Sequence, residues 1–292
     1  MQKTQTIGFI GIGLMGEPMT LRLLAAGYPI NVWNRSAEKL KTVLEAGAKA
    51  PGSLAQLIQD SDIIMLCLAD SPVVEQITKQ HILAHGNEAK LLIDLSSTHP
   101  EITRQLASLI KEKCNMEWVD APVSGGVAGA KAGSLAIMAG GTEASITIAR
   151  EILKPLYSQL THMGKVGSGQ VTKICNQMIV SCNVLVIAEM MALAEKSGVD
   201  AKQIAPALAG GFADSKPLQI VAPEMAESRF TPVKWRVKTL LKDLNMATDI
   251  AKKQNTSTPM SALAAQLMQL HGSQGFLEQD PATLIKLYDK NK

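Results

Sequence analysis

Hydrophobic and polar positions follow two different patterns along this chain, and the change between them lies near residue 164. Before it, short apolar runs alternate with segments of helical period, which is typical of strands and helices in a parallel sheet. The apolar runs predict strands at residues 6–11, 29–33, 63–68, 91–95, 117–120 and 134–139. The segments between them predict helices at residues 17–26, 53–59, 72–82, 101–113 and a last one after 142.

After three closely spaced glycines, Gly164, Gly167 and Gly169, the pattern is helical throughout. Residues 170–197 are apolar on nearly every side, which predicts the buried central helix of a second domain. We therefore predict an α/β domain over residues 1–164 and an all-helical domain over residues 165–292. The further helices of the second domain are predicted at residues 201–209, 235–253, 260–271 and from 280 onward.

The composition narrows the class of protein. The 292 residues are 46% hydrophobic and 19% charged, which is typical of a globular protein. A net charge of +3 from scattered basic residues, with only 3% aromatic residues, argues against nucleic acid binding. Ser181, Asn183 and Glu189 interrupt the apolar stretch at residues 179–194, so we predict a core helix there and no membrane span.

The cysteines indicate a reducing compartment. Cys67, Cys114, Cys175 and Cys182 form no Cys-x-x-Cys pair, and the last two are separated on one predicted helix by roughly 10 Å, too far for a disulfide. We interpret all four as buried, reduced thiols and predict a cytoplasmic protein. The histidines do not cluster with cysteines or carboxylates at ligand spacing, so no metal site is predicted.

A glycine motif, Gly11-Ile12-Gly13-Leu14-Met15-Gly16, follows the first strand and leads into a helix and a second strand. This is the order of a dinucleotide-binding unit, in which the helix N-terminus offers free N–H groups to phosphates. Gly11 permits the tight turn, Gly13 lets a pyrophosphate approach the backbone, and Gly16 lets the helix pack on the sheet. The alternative is a glycine-rich turn without a ligand. We assign cofactor contacts to Gly11, Gly13, Leu14, Met15 and Gly16.

The second strand ends in Asn34-Arg35-Ser36, where an NAD site usually has an acidic residue for the ribose 2′-hydroxyl. Arg35 can pair with a 2′-phosphate instead, and Asn34 and Ser36 can donate hydrogen bonds to it. The three residues therefore favour NADP(H) as the cofactor, with NAD(H) as the second choice. The alternative is that Arg35 only stacks on the adenine or lies in solvent.

Candidate catalytic groups lie on the long helix. Lys173 and Asn176 are three residues apart and therefore share a helix face. A nicotinamide cofactor supplies the hydride, so the protein must supply a proton donor and an anchor for the substrate. Lys173 is the candidate donor, and lowering its pKa by about 3 units would require on the order of 4 kcal/mol. On the helix pattern alone, Lys173 is more simply a surface lysine.

Loops beyond the carboxyl ends of the strands are the places where a doubly wound sheet binds ligands. Leu68 and Thr98 lie in two of these loops, and Leu68 is assigned to the cofactor site. Ser124, Gly125 and Gly126 lie in a third, where a hydroxyl and backbone N–H groups can hold a carboxylate.

Four segments together resemble the β-hydroxyacid dehydrogenase family, which includes 3-hydroxyisobutyrate dehydrogenase, tartronate semialdehyde reductase and glyoxylate/succinic semialdehyde reductase. They are the glycine loop extended to Met19, residues 120–126, residues 164–176 and Lys242-Asp243-Leu244, and they span nearly the whole chain. The resemblance implies a Rossmann-type N-terminal domain and an all-α C-terminal domain, as in 6-phosphogluconate dehydrogenase. It also implies an active site in the cleft between the two domains.

The resemblance also implies roles for single residues. Lys173 matches the catalytic lysine, a general acid in reduction and a general base in oxidation. Ser124, Gly125 and Gly126 match the loop that binds the substrate carboxylate, and Asn176 matches the amide that orients the substrate. Thr98 and Lys242 match positions against the cofactor.

Two positions depart from the family pattern. Many members have two consecutive amides after the lysine segment, whereas here Asn176 is followed by the longer Gln177. Trp235 stands where many have a smaller aromatic residue. We include Gln177 among the substrate-binding residues, because its longer side chain can narrow the pocket. Both departures leave the identity of the substrate open.

We therefore predict an NADP-preferring oxidoreductase that interconverts a small semialdehyde acid and its hydroxy acid, of the 3-hydroxyisobutyrate, glycerate or 4-hydroxybutyrate type. An imine reductase-like enzyme and a non-enzymatic NADP-binding module are the alternatives. Lys173 argues against the first, and the lack of any additional domain argues against the second. The apolar surface left on the helical domain predicts a homodimer or a homotetramer.

Overall fold

The structure is a computed structural model that describes residues 5–289. It contains two compact units, Met1–Lys173 and Ile174–Lys292, and the division falls within one long helix. The first unit is built on a sheet with helices, and the described residues of the second are helical or irregular. This confirms the predicted fold class, an α/β Rossmann-type domain followed by an all-α domain. The predicted boundary after residue 164 stays a prediction.

Eight strands form one sheet in the first unit. They are β1 (Ile7–Ile10), β2 (Ile30–Trp33), β3 (Ile63–Leu66), β4 (Leu91–Asp94), β5 (Glu117–Asp120), β6 (Val123–Ser124), β7 (Leu135–Gly140) and β8 (Tyr157–Gly164). Their order is β2-β1-β3-β4-β5-β7-β6, with β8 beside β7. The strands β1 to β5 are mutually parallel, β7 is antiparallel to β5 and β6, and β8 is parallel to β7. The carboxyl ends of five strands therefore meet at one edge of the sheet.

Thirteen α-helices lie within the described residues. They are α1 (Gly16–Ala25), α2 (Lys41–Glu45), α3 (Leu54–Gln59), α4 (Ser71–Ile77), α5 (Leu83–His85), α6 (Pro100–Cys114), α7 (Gly126–Ala132), α8 (Glu143–Leu153), α9 (Ser168–Lys196), α10 (Ile204–Leu208), α11 (Lys216–Ala226), α12 (Val237–Lys253) and α13 (Pro259–His271). Short 3₁₀ or π segments lie at Ala37–Leu40, Thr78–Ile82, Lys154–Leu156, Ala201–Gln203, Gly272–Phe276 and Pro281–Leu287.

The sheet is buried on both faces where its strands are parallel, which explains their continuous apolar runs. Neighbouring residues of β1 point to opposite sides. Phe9 belongs to one apolar cluster, with Met19 of α1, whereas Ile10 belongs to another, with Leu106 of α6. The glycine loop that follows β1 is therefore fixed by packing on both sides of the sheet.

The second unit packs around α9, but that helix is not buried on every side as the sequence predicted. Val184, Ala188 and Met191 lie in the core of the unit, with the buried faces of α11 and α12. Ile179, Val186 and Leu193 are exposed, at 68%, 52% and 69%. By length and composition alone α9 could cross a membrane, with a mean hydropathy of 1.8, and 44% of its apolar window is buried within the chain.

Several elements are not predicted from the sequence pattern, among them α2, α7, β8 and α11, and the last two show why. Strand β8 has one buried residue, Leu160, among polar neighbours, so it lacks the apolar alternation that marks a strand. Helix α11 contains Pro223, a residue that normally argues against a helix interior. Neither element is predicted from the sequence for these reasons.

Candidate active site

The glycine loop leaves room for a ligand at one of its three glycines. Gly11 has a φ of +107°, and a Cβ there would lie 2.3 Å from the carbonyl oxygen of Cys67. A Cβ on Gly16 would lie 2.0 Å from the carbonyl oxygen of Gly11 and 3.3 Å from Phe9. A Cβ on Gly13 would meet no protein atom within 4 Å. Protein packing thus explains the glycines at positions 11 and 16, whereas position 13 faces open space.

The N-terminus of α1 lies directly after this open space. Met15 is its N-cap and makes no side-chain capping hydrogen bond. The first N–H groups of a helix need acceptors, and phosphate oxygens are well suited to this position. The side chain of Leu14 is 63% exposed beside the same turn. The residues present therefore fit a dinucleotide pyrophosphate.

Asn34, at the end of β2, holds the glycine loop. Its Oδ1 accepts from the N–H of Ile12 at 3.0 Å, and its Nδ2 donates to the carbonyl oxygen of Ser36 at 2.9 Å. One N–H of the amide nitrogen is thereby used within the protein and the other is left, so donation by Asn34 to a 2′-phosphate stays a prediction. Arg35 is exposed and makes no hydrogen bond or ion pair with any described residue. Its guanidinium is available to a ligand.

Leu68 and Thr98 follow β3 and β4 and are held by internal hydrogen bonds. The N–H of Leu68 donates to Ser96 Oγ at 2.9 Å. Thr98 is buried, with its hydroxyl 2.8 Å from that of Thr103. The Cys67 thiol beside them has its pKa raised to about 12 by burial, with a further contribution from Asp94. This thiol therefore stays protonated and unreactive at neutral pH.

The loop after β6 has an unusual backbone conformation. Gly125 and Gly126 have φ values of +134° and +62°, which side-chain-bearing residues rarely adopt. Both glycines are exposed and precede α7, and Ser124 is half-buried beside them. The Ser124 hydroxyl makes no hydrogen bond with any other described residue, so the loop presents a hydroxyl and backbone N–H groups to solvent.

Two residues that the sequence pattern does not single out as functional, Asp120 and Gln170, anchor the start of α9. The buried Asp120 carboxylate accepts from the N–H of Gly167 at 2.7 Å and from that of Gln170 at 2.9 Å. The Gln170 side chain donates to the carbonyl oxygen of Ser96 at 2.8 Å and accepts from the N–H of Thr98 at 3.0 Å. One helix is thereby tied to the ends of β4 and β5.

Close backbone approach completes this anchor. A Cβ on Gly169 would lie 2.3 Å from the carbonyl oxygen of Met138. Burial raises the pKa of Asp120 to about 6, although hydrogen bonds from three backbone N–H groups and the charge of Arg104 oppose that shift. In the sequence, Gln170 could have been noticed as a polar residue at the start of an apolar segment. Asp120 belongs to the segment at residues 120–126 that carries part of the family resemblance.

Lys173 lies on α9 three residues after Gln170, and Asn176 follows on the same face of the helix. Lys173 is half-buried and engaged with other residues. The hydrogen bonds at the start of the helix therefore fix the backbone position of Lys173. This position lies at the edge of the sheet where the glycine loop also lies.

A polar chain runs through the second unit from Asn176 to Lys242. Asn176 Nδ2 donates to Gln177 Oε1 at 2.9 Å, and Gln177 Nε2 donates to Asp243 Oδ2 at 2.7 Å. Lys242 Nζ lies 3.4 Å from Asp243 Oδ1. Asp243 is 1% exposed and Gln177 is 8% exposed. The Lys242–Asp243 pair is therefore partly buried and differs from an ordinary exposed charged turn.

Three further observations concern a groove, metal ligands and the cysteines. An open groove of about 1010 Å³ lies on the first unit between α6 and the end of β8, and none of the predicted site residues line it. Among residues 5–289 there is no group of three or more metal-ligating side chains. The four cysteines are free, and Cys175 is exposed, so its predicted burial is wrong.

Comparisons with known proteins cover almost the whole chain. The profile of the NAD binding domain of 6-phosphogluconate dehydrogenase matches residues 6–164. The profile described as NAD-binding of NADP-dependent 3-hydroxyisobutyrate dehydrogenase matches residues 167–288.

Individual relatives match at a similar level over their full length. The 2-hydroxy-3-oxopropionate reductase of Escherichia coli is 32% identical over 96% of both chains. The NAD-dependent L-serine dehydrogenase of Pseudomonas aeruginosa is 32% identical over 97% of both chains. The solved structure of Mycobacterium tuberculosis 3-hydroxyisobutyrate dehydrogenase with L-serine is 28% identical, with a TM-score of 0.88, over 98% of this chain and 100% of that one.

Proposed function

This chain belongs to the β-hydroxyacid dehydrogenase family, and from that premise we propose that it interconverts a small semialdehyde acid and its hydroxy acid by hydride transfer. One observation carries the proposal. The ligand-accessible glycine loop and the anchored start of α9, which bears Lys173, lie at the same edge of one sheet. A nicotinamide dinucleotide and a proton donor can therefore meet there.

The protein's part in the reaction is binding and proton transfer. NAD(P)H supplies the hydride when bound. In reduction, the Lys173 ammonium gives its proton to the carbonyl oxygen, and in oxidation the neutral amine takes the proton from the hydroxyl. Ser124 and the N–H groups of the Gly125–Gly126 turn hold the substrate carboxylate, which is an acceptor. Asn176, on the same helix face as Lys173, orients the reacting oxygen.

A substrate panel tests this reaction class. Oxidation of NADPH is followed with glyoxylate, tartronate semialdehyde, methylmalonate semialdehyde, succinic semialdehyde and a cyclic imine. We expect turnover with at least one semialdehyde acid or glyoxylate, and none with the imine. Turnover of the imine alone would favour an imine reductase. Tight NADPH binding without any turnover would favour a non-enzymatic module.

The role of Lys173 has its own test. Lys173→Ala removes the proton donor, and general acid–base catalysis typically contributes about 10²–10⁴-fold, so kcat should fall by that amount. NADPH affinity, measured by fluorescence titration, should change little because the phosphates and ribose are held elsewhere. Lys252→Ala, at an exposed position of α12, is the matched control and should keep wild-type kcat. An active Lys173→Ala enzyme would contradict the assignment.

We also propose that NADP(H) is preferred over NAD(H). The exposed Arg35 guanidinium, which is free of partners among the described residues, supports this, as does the absence of an acidic residue at positions 34–36. A charge-assisted hydrogen bond contributes about 1.5–3 kcal/mol, so Arg35→Ala should lower kcat/KM with NADPH by at least about 10-fold. With NADH it should change little. Equal wild-type rates with the two cofactors would contradict the preference.

We propose further that the protein is cytoplasmic and assembles as a homodimer or homotetramer. Four free thiols support the first statement. The exposed apolar face of α9 supports the second, since soluble monomers seldom leave such a face uncovered.

A further inference from the structure

Gln177 is a buried residue of the long helix, and both ends of its side-chain amide form hydrogen bonds within the second unit. Its oxygen accepts from Asn176 Nδ2 at 2.9 Å, and its amide nitrogen donates to Asp243 Oδ2 at 2.7 Å. Only 8% of the residue is exposed. A side chain with both ends engaged and little exposed surface is poorly placed to contact a substrate directly.

The direction of these hydrogen bonds follows from the chemistry of Asp243. An ionised carboxylate can only accept, so the end of Gln177 that faces it must be the NH₂ group. The opposite end of Gln177 is therefore its oxygen, which can only accept. Asn176 must then direct its own NH₂ group toward Gln177. The Asp243 carboxylate thus fixes the orientation of the Gln177 amide, which in turn fixes that of the Asn176 amide. The Oδ1 atom of Asn176 then faces away from Gln177.

We propose that Gln177 is a positioning residue, which transmits the polarity of the buried Asp243 carboxylate to Asn176 and holds its Oδ1 as a fixed acceptor for the substrate hydroxyl. This inference rests on the proposed function. The acceptor recognises the hydroxyl of the hydroxy acid, which carries the proton that Lys173 removes. A free asparagine could present either end, and the wrong end would place a donor against that hydroxyl.

The length of glutamine is what permits this arrangement. Asn176 and Asp243 are bridged by one side chain that reaches both at normal hydrogen-bond distances. An asparagine at this position is one methylene shorter, so we expect it to reach one partner but not both. The Gln177 departure from the family pattern therefore affects the orientation of Asn176 more than the width of the pocket.

Reversing the donor and acceptor tests the proposal. Gln177→Glu keeps the shape but replaces the donor with an acceptor, so two carboxylates face each other and the bond to Asp243 is lost. A hydrogen bond to a charged group is worth about 1.5–3 kcal/mol, which corresponds to a fall in kcat of about 10–100-fold. We expect KM for the substrate to change less than kcat.

The double variant Gln177→Glu with Asp243→Asn restores the complementarity. The amide introduced at position 243 would then donate to the glutamate, and the glutamate would still present an oxygen to Asn176. We expect the double variant to recover kcat at least about 10-fold over Gln177→Glu alone, whereas a substrate-contacting or purely packing role predicts no such recovery. Gln105→Glu, at an exposed position of α6, is the control for added negative charge and should keep wild-type kcat.

The outcomes separate this inference from the function on which it rests. If the wild-type protein reduces no semialdehyde acid, the proposed function is wrong, and the inference falls with it. If the wild type is active and Gln177→Glu matches it, or if the double variant is no better than the single one, the positioning role alone is overturned. A fall in kcat with recovery in the double variant supports it.

Discussion

Gly11, Gly13 and Gly16 belong to one motif, but the structure explains only the first and the last of them. The left-handed φ of Gly11 and the close carbonyl oxygen at Gly16 are demands of the folded chain. Position 13 has no positive φ, and a methyl group added there would have no neighbour within 4 Å. Protein packing therefore does not require glycine at position 13, which agrees with the proposed approach of a pyrophosphate to this turn.

Paired alanine substitutions separate these reasons. Gly13→Ala adds a methyl group to open space, so the free energy of unfolding should change by less than about 1 kcal/mol. NADPH affinity should fall at least tenfold, because the methyl group occupies the approach to the pyrophosphate. Gly16→Ala places the methyl group against the carbonyl oxygen of Gly11 and should destabilise the protein by about 1–3 kcal/mol.

Urea denaturation and fluorescence titration of NADPH measure the two effects separately. Unchanged NADPH affinity in Gly13→Ala would mean that no phosphate approaches this turn. Equal loss of stability in both variants would mean that position 13 is also a packing requirement.

For single residues, the sequence indicates backbone requirements better than hydrogen-bond partners. The glycine spacing predicts the tight turn at Gly11 and the close packing at Gly16. The internal hydrogen bonds of Asn34 and Gln177 are not predicted, because they join these residues to Ile12 and Asp243, which are distant in the chain. A polar residue in a motif is equally compatible with a ligand contact and an internal one until its neighbours are known.

Among the elements, α9 is held at its start by hydrogen bonds to the ends of two strands. Its first turn is held by the Asp120 carboxylate and by the Gln170 side chain, and glycine at position 169 permits the close approach. The helix itself was predicted from its apolar length, but its attachment was not. In the same way, β8 and α11 escape prediction because polar strand positions and an internal proline hide the usual patterns.

Asp120→Asn tests the attachment. An amide can accept only one of the two N–H groups, and its own NH₂ would face the other, so the free energy of unfolding should fall by about 1–3 kcal/mol. kcat should fall as well, because the start of the helix that bears Lys173 is loosened. Glu45→Gln, at an exposed position, is the control. Wild-type stability in Asp120→Asn would contradict an anchoring role.

The same variant should also change how the free energy of unfolding depends on pH. The pKa of Asp120 is raised from 3.8 to about 6, so the folded protein holds a proton that the unfolded chain has released between these values. This group therefore lowers the free energy of unfolding as pH rises from about 4 to about 6. His271, with its pKa lowered to about 4 by burial, acts in the opposite direction over this window. It is present in both proteins, so the difference between wild type and Asp120→Asn isolates the Asp120 contribution.

On the scale of the whole molecule, the second unit has more apolar surface than one chain covers. Ile179, Val186 and Leu193 recur at every seventh position of α9, which keeps them on one face of the helix. Helix α13 shares an apolar cluster with α9 and exposes Met260, Leu263 and Leu270 at 63%, 56% and 52%. Seven-residue spacing is the pattern of a helix that packs against another helix, which supports the proposed self-association.

Charged substitutions on this face should therefore separate the copies. Ile179→Glu combined with Leu193→Glu leaves the core of each chain intact, because both side chains are already exposed. In an interface, each glutamate would be desolvated without a partner, at a cost of several kcal/mol per ion. The molar mass from light scattering should fall to that of one chain at micromolar concentration, with an unchanged helical circular dichroism spectrum. Gln105→Glu, at an exposed position of α6 in the first unit, should leave the mass of the assembly unchanged. A monomeric wild type, or binding of the wild type to phospholipid vesicles through this face, would contradict self-association.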